Sequence, residues 1–366
     1  MKHIIKALLV LQVFTSSVAL SQDPNFHIYL MFGQSNMEGA GSIQSQDRSN
    51  VDPRFQVMGA TTCSTNSRSF TQGEWSTAEP PLVRCFSGLG VGDYFGRTMV
   101  EELPEHIKIG VVPVAVGGCD IILFDKDKYA SYVESAPDWL KNIIDEYDGN
   151  PYGRLVDIAR EAQKDGVIKG ILFHQGETNT GSTIWKNQVK VVVDNLKEDL
   201  ELDDIPFLAG ELFAGDGACC DSHNVEVNKL PEVITNAHVI SSEGLEGADE
   251  AHFTSAAYRT FGERYATKML ELIDYEENPI ASLDDSQLAD QHMIYPSPVV
   301  DGSFTIGNTT NIQEISVFDI MGNKVVSHQN TTSLASIEVR INTKPGIHLI
   351  RLMNGQKATY KKILIQ

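Results

Sequence analysis

FHIYLMF at residues 26–32, followed at once by GQSNMEG at 33–39, is the stretch from which the fold is read. An unbroken apolar run of this length reads as a buried strand, and the Gly- and Asn-rich segment after it reads as a turn. Four more apolar runs follow, at 107–116, 168–174, 205–212 and 237–241. Between them, segments 93–103, 153–165, 185–200 and 256–273 carry apolar residues at helical spacing. Strands that alternate with helices pair in parallel through right-handed crossovers, which predicts a three-layer α/β/α sandwich. Sites in such sheets gather beyond the carboxyl ends of the strands.

The pattern changes near residue 277. Segment 277–292 is acidic, polar and weakly periodic, and reads as a linker. Beyond it, period-two runs at 302–306, 312–319, 336–341, 347–353 and 359–365 predict a small antiparallel β-sandwich. From Met293 onward seven Lys and Arg face four Asp and Glu, a formal +3, which leaves −23 of the chain's −20 on the remainder. That break supports two units, 22–276 and 293–366. The acidic total repels nucleic-acid phosphates and disfavours anionic lipid.

At the other end, Lys2 and Lys6 precede a nearly uncharged run at 7–20, and Ala19 and Ser21 provide small residues before a cut at Gln22. This is the layout of a signal peptide over 1–21, and the run is shorter than the ~20 residues a membrane span needs. No other stretch reaches that length. Export makes disulfides expected among the five cysteines, with at least one thiol left over. Cys63 and Cys85 flank one loop-like stretch and are the favoured pair; Cys119, Cys219 and Cys220 are left open. The spacings contain no C-x-x-C or H-E-x-x-H, so neither a metal nor a cofactor is expected.

The polar residues with chemical potential all follow strands. Ser35 in the GQSNMEG turn is exposed as a nucleophile if a base accepts its proton; alone, a Ser among Gly and Asn is more often a cap. Asp249 and His252, in DEAHF, are three apart and can meet across one turn as orienter and base. HQGETN at 174–179 offers Gln175 as an oxyanion donor and Glu177 as a support for His252 or its loop; a structural network is an equal reading of His174 and Glu177. VAVGGCD at 114–120 lets Gly118 aim a backbone N–H into a site.

Taken together, GQSNMEG, AVGG, HQGE and D-x-x-H-F resemble the SGNH hydrolase superfamily, and within it the branch of carbohydrate esterase family six and the sialate O-acetylesterase-like domain. The resemblance spans 26–272. It implies a flavodoxin-like five-stranded parallel sheet and metal-free ester hydrolysis through an acyl-serine. Ser35, Asp249 and His252 would form the triad, and Ser35, Gly118 and Gln175 the oxyanion hole. One departure concerns the pocket wall: many relatives place an aromatic residue soon after the second block, where this chain has CDIILF at 119–124.

The tail resembles the C-terminal sorting domain of type IX secretion. Tyr295-Pro296-Ser297-Pro298, Gly302, the FDIMG turn at 318–322, Gly346 and Lys361-Lys362 carry the likeness. An ordinary carbohydrate-binding sandwich is disfavoured, because no row of exposed aromatics is evident. The resemblance implies contact with that secretion machinery and a secreted or cell-surface protein. The expectation is therefore an exported serine esterase that deacetylates a polysaccharide, acetylxylan first. A sialate O-acetylesterase is the alternative, and a non-catalytic carbohydrate-binding surface protein is the reading from another class.

Overall fold

A computed structural model of the full chain describes residues 22–273, 292–319, 324–331, 333–354 and 357–366. The signal segment 1–21 and nearly all of the linker lie outside the described residues, as do positions 320–322 of the FDIMG turn. The chain divides into two compact units, before and after Ile273.

The first unit is mixed α/β around a mostly parallel sheet. Its strands are β1 (Asp23–Gly33), β2 (Phe55–Met58), β3 (Trp75–Thr77), β4 (Lys108–Ala115), β5 (Gly166–His174), β6 (Phe207–Gly210) and β7 (Ala237–Ile240). They lie in the order β3-β2-β4-β1-β5-β6-β7, and only β3 runs antiparallel to its neighbour. The five long-predicted strands, β4-β1-β5-β6-β7, follow the flavodoxin order 2-1-3-4-5. The implied five-stranded sheet is thus widened by β2, a sixth parallel strand, and by β3.

Alternation along β1 explains why its sequence is apolar without a break. Phe26, Ile28, Leu30 and Phe32 join one core cluster, while Tyr29 and Met31 join the other. The first cluster also takes buried residues from α3 (Asp138–Asp145), α4 (Pro151–Ala162) and α5 (Trp185–Asp199). The second takes those of α2 (Val91–Glu102) and α6 (Ser255–Leu272), which precede and follow these in the chain; α1 is the single turn Ser35–Glu38. A central strand exposed to two apolar environments has no polar face to show.

β1 and β5 converge at their carboxyl ends. A β-carbon on Gly33 would lie 2.1 Å from the His174 carbonyl oxygen, so only glycine permits the approach. This brings the turns after both strands together.

Burial also sets a pH response. His27 on β1 is pushed down from the usual 6.5 to about 4, first by its desolvation and then by the nearby Lys169. Between those values the unfolded chain binds a proton that the folded chain refuses, so stability falls as pH falls through this window. The loss from His27 approaches about 3 kcal/mol by pH 4. Buried His174 and His223 are shifted in the same direction, also chiefly by desolvation, and add to it. Urea unfolding at pH 7 and pH 4.5 checks this: His27→Gln is expected to flatten the difference.

The second unit, described by itself, consists of two antiparallel sheets around one apolar cluster. One contains Ile294–Tyr295, Ser303–Gly307 and Ser336–Arg340. The other orders Lys324–Gln329, Glu314–Asp319, Gly346–Asn354 and Lys357–Ile365. Among the described residues no helix is long and apolar enough to cross a membrane.

Candidate active site

Ser35 begins α1, directly beyond β1, while Gly117 and Gly118 follow β4 and Gln175 follows β5. The strands are parallel, so their carboxyl ends bring these residues to one edge. The Asp249–His252 segment reaches the same edge from far along the chain. It is held by a tight loop in which Ala248 N donates to His252 O at 2.7 Å and Thr254 N to Glu246 O at 2.9 Å. Phe253, fully buried against Phe213, Tyr258, Phe261 and His174, pins the loop beside His252. Thr254 then caps α6 by accepting from Ala257 N.

The result is one hydrogen-bonded chain across three side chains. His252 Nε2 lies 2.9 Å from Ser35 Oγ. His252 Nδ1 lies 2.8 Å and 3.1 Å from the two Asp249 carboxylate oxygens. Asp249 Oδ1 also accepts from the backbone N–H of Ala251 at 2.8 Å and of His252 at 2.7 Å. Partial burial pushes the Asp249 carboxyl up, but the His252 ring and these two amides outweigh it and hold the group below the usual carboxylate range. With a proton fixed on Nδ1 toward Asp249, Nε2 is left as an acceptor for the Ser35 hydroxyl.

The glycine loop stands opposite. A β-carbon on Gly117 would lie 3.6 Å from Ser35 Cβ, so the two turns are adjacent. Gly118 takes φ +73°, a conformation that favours glycine, and its carbonyl accepts from Thr178 Oγ1 at 3.1 Å. The backbone N–H groups of Ser35 and Gly118 have no acceptor among the described residues.

Gln175 requires a correction. It is wholly buried, and its Nε2 is surrounded by Asn179 Oδ1 at 2.5 Å, Gln34 Oε1 at 3.1 Å and Cys119 O at 3.2 Å. Two N–H protons facing three internal acceptors leave none for a substrate oxygen. Its Oε1 accepts from the Trp185 indole N–H, which fixes the orientation of the amide. Gln34 is oriented in turn, because its Oε1 also accepts from Gly176 N at 3.3 Å. The other end of Gln34, Nε2, has no partner among the described residues, yet is not sealed from its surroundings.

Glu177 does not touch His252. Its Oε1 accepts from Asn36 Nδ2 at 2.6 Å, and the same amide donates to Ala251 O at 3.0 Å. Tyr258 OH donates to Asn36 Oδ1. Asn36 therefore ties the serine turn to the histidine loop, and Glu177 braces it. His174 is fully buried, with Nε2 3.1 Å from Glu211 O, and desolvation lowers its basicity despite Glu177 nearby. It belongs to the structural network.

A buried ion pair supports the glycine loop. Glu38 Oε2 accepts from Gly117 N at 2.6 Å, while Oε1 accepts from Arg84 Nε at 2.9 Å and again from Nη2. Arg84 also reaches Glu146. Gln34, Asn36 and Glu38 stand in GQSNMEG and Asn179 in HQGETN with no role legible from the motif, and Arg84, Trp185 and Tyr258 carry no sequence signal of a part in the site. A polar block directly after a buried strand is the signal for the first four.

The disulfides are Cys63–Cys85, as favoured above, and the adjacent pair Cys219–Cys220; the Cys119 thiol is free and buried. Cys219 N donates to Glu250 O at 2.8 Å, so this second bridge abuts the loop of Asp249 and His252.

A probable carbohydrate esterase of Arabidopsis thaliana is 25% identical over 254 residues, covering 65% of this chain and 88% of the relative. A solved structure of an Arabidopsis thaliana protein shares the fold at 22% identity and TM-score 0.52, covering 68% of this chain and 99% of that one. NanS does so at 16% identity and TM-score 0.51, with 69% and 98% covered. Residues 293–366 match the secretion system C-terminal sorting domain, which implies a secreted or cell-surface protein. Residues 25–271 match the carbohydrate esterases described as sialic acid-specific acetylesterase, and the chain belongs to that family of carboxylic-ester hydrolases.

Proposed function

We propose that this protein is an exported serine esterase that removes O-acetyl groups from a neutral polysaccharide, acetylxylan in the first place. The observation that carries the reading is the 2.9 Å contact between His252 Nε2 and Ser35 Oγ, with Asp249 on the far side of the ring. His252 takes the Ser35 proton as Oγ attacks the acetyl carbonyl carbon. The tetrahedral oxyanion is met by the N–H groups of Ser35 and Gly118, and the free Nε2 of Gln34, oriented through Gln175, stands as the third donor. Collapse expels the sugar oxygen, which takes the proton from His252. Water, deprotonated by the same ring, then cleaves the acyl-serine and releases acetate.

The reading extends to the whole chain: a signal peptide over 1–21, a three-layer esterase domain over 22–276, a linker over 277–292, and a tail over 293–366 that engages the type IX machinery. A sialate O-acetylesterase is the second reading, favoured by the description of the matched family. Charge speaks against it. Asp249, Glu177 and Glu38 bring carboxylates to the site, and the guanidinium bound to Glu38, that of Arg84, is committed to Glu38 and Glu146. A sialate carboxylate would meet repulsion there, in a region of formal charge −23, whereas a xylan backbone carries no charge to repel.

Acetate release from acetylated xylan and from an O-acetylated sialoside, measured on the full chain, separates the two. Xylan is expected to give the higher kcat/KM; a preference for the sialoside overturns the substrate assignment.

A further inference from the structure

The run after Gly117-Gly118 is CDIILF at 119–124. Cys119, Ile121, Leu123 and Phe124 all turn into the core, and of the apolar residues in that run only Ile122 stays partly exposed. Gly118 itself is flanked by a residue of α3. A β-carbon on Gly118 would lie 2.7 Å from Trp139 Cη2 and 3.3 Å from Cζ3, so the edge of the indole rests against the glycine proposed above as an oxyanion donor.

Trp139 is not needed to hold its helix. α3 is anchored through Leu140 and Ile144, both buried, while Trp139 is 56% exposed. The other two tryptophans have their indole N–H bound, Trp75 to Asp165 and Trp185 to Gln175. Trp139 has no such partner among the described residues. A large apolar ring left in water, with a free donor at one edge, next to a candidate oxyanion hole, has the chemistry of a sugar platform. The C–H bonds on one face of a pyranose carry slight positive charge and pack against the electron-rich indole face, and the N–H can bond a ring hydroxyl.

We infer that Trp139 is the sugar-binding platform of this esterase, stacking on a neutral pyranose at or next to the residue that bears the scissile acetyl ester. The inference rests on the esterase reading above and adds to it the element that recognises the sugar. A neutral ring suits the position, because stacking requires no countercharge where the surrounding side chains are acidic. Gly118 is then doubly constrained: a side chain there would collide with the platform as well as strain the backbone.

The test compares wild type, Trp139→Ala and Trp139→Phe in the full chain on p-nitrophenyl acetate and on an acetylated xylo-oligosaccharide. The readout is the ratio of the two kcat/KM values, oligosaccharide over p-nitrophenyl acetate. Trp139→Ala is expected to lower that ratio by about tenfold to thirtyfold, mainly through KM for the oligosaccharide, in the range of a lost aromatic anchor. Trp139→Phe is expected to restore most of it. An unchanged ratio in Trp139→Ala, including a parallel loss on both substrates, overturns the platform and makes Trp139 a support for Gly118. So does a wild type that cleaves p-nitrophenyl acetate but not the oligosaccharide. Failure of the esterase reading looks different: wild type would then release acetate from neither. In that case indole fluorescence titrated with unacetylated xylo-oligosaccharide still reads the platform, and a signal change equal in wild type and Trp139→Ala rejects it.

Discussion

Ser35→Ala is expected to lower kcat for acetate release by about 10⁴-fold or more, leaving only what substrate binding and the oxyanion donors supply on their own. Without Oγ no acyl-enzyme forms, and His252 has only water to activate. The fold should barely register the change. Ser35 is half-buried, and the variant loses one hydrogen bond, worth about 1 kcal/mol. Because Ser35 and His252 act as a unit, Ser35→Ala and His252→Ala together should cost little more than either alone. Stopped assays on p-nitrophenyl acetate, with urea unfolding as a control, measure both. Wild-type turnover in the alanine variant would overturn the nucleophile.

Arg84→Met should produce the largest loss of stability at the site, about 3–5 kcal/mol, because it strands a carboxylate away from water. Arg84 and Glu38 are each 8% exposed, and burial, which alone would weaken the guanidinium's hold on its proton, is outweighed by Glu38 beside it. Activity should drop as well. Glu38 holds Gly117 N, and an unpaired carboxylate that moves or takes a proton releases the loop that carries Gly118. Pairing Arg84→Met with Glu38→Leu removes both charges, and the double variant is expected to be more stable than the single one. Equal stability of Arg84→Met and wild type would show the pair to be idle.

Ser35, Asp249 and His252 were legible because each stands in a short block whose residue types announce their chemistry. Arg84 was not, since an arginine between Val83 and Cys85 carries no local sign that it will be buried beside residue 38. The same contrast holds for the secondary structure. The strands Asp23–Gly33, Lys108–Ala115 and Gly166–His174 were expected within a few residues, because burial on both faces leaves an unbroken apolar run. Lys324–Gln329 was missed: its residues are half-buried or exposed throughout, so no period-two signal marks it. Phe55–Met58 and Trp75–Thr77 are short and owe their strand state to pairing with the sheet.

By itself the sequence determined the alternation of strands and helices, the change to an antiparallel tail, and the blocks that hold Ser35, Asp249 and His252. These are local properties, imprinted on neighbouring residues by which side of each element is dry. Only the tertiary structure decided which amides pair with one another and which ring lies against Gly118. Gln175 and Gln34 are 141 residues apart, and the indole of Trp185 and the amide of Gly176 fix which ends of the two meet. An amide has a donor end and an acceptor end on nearly the same shape, so its direction is set by its partners and not by its own place in the chain.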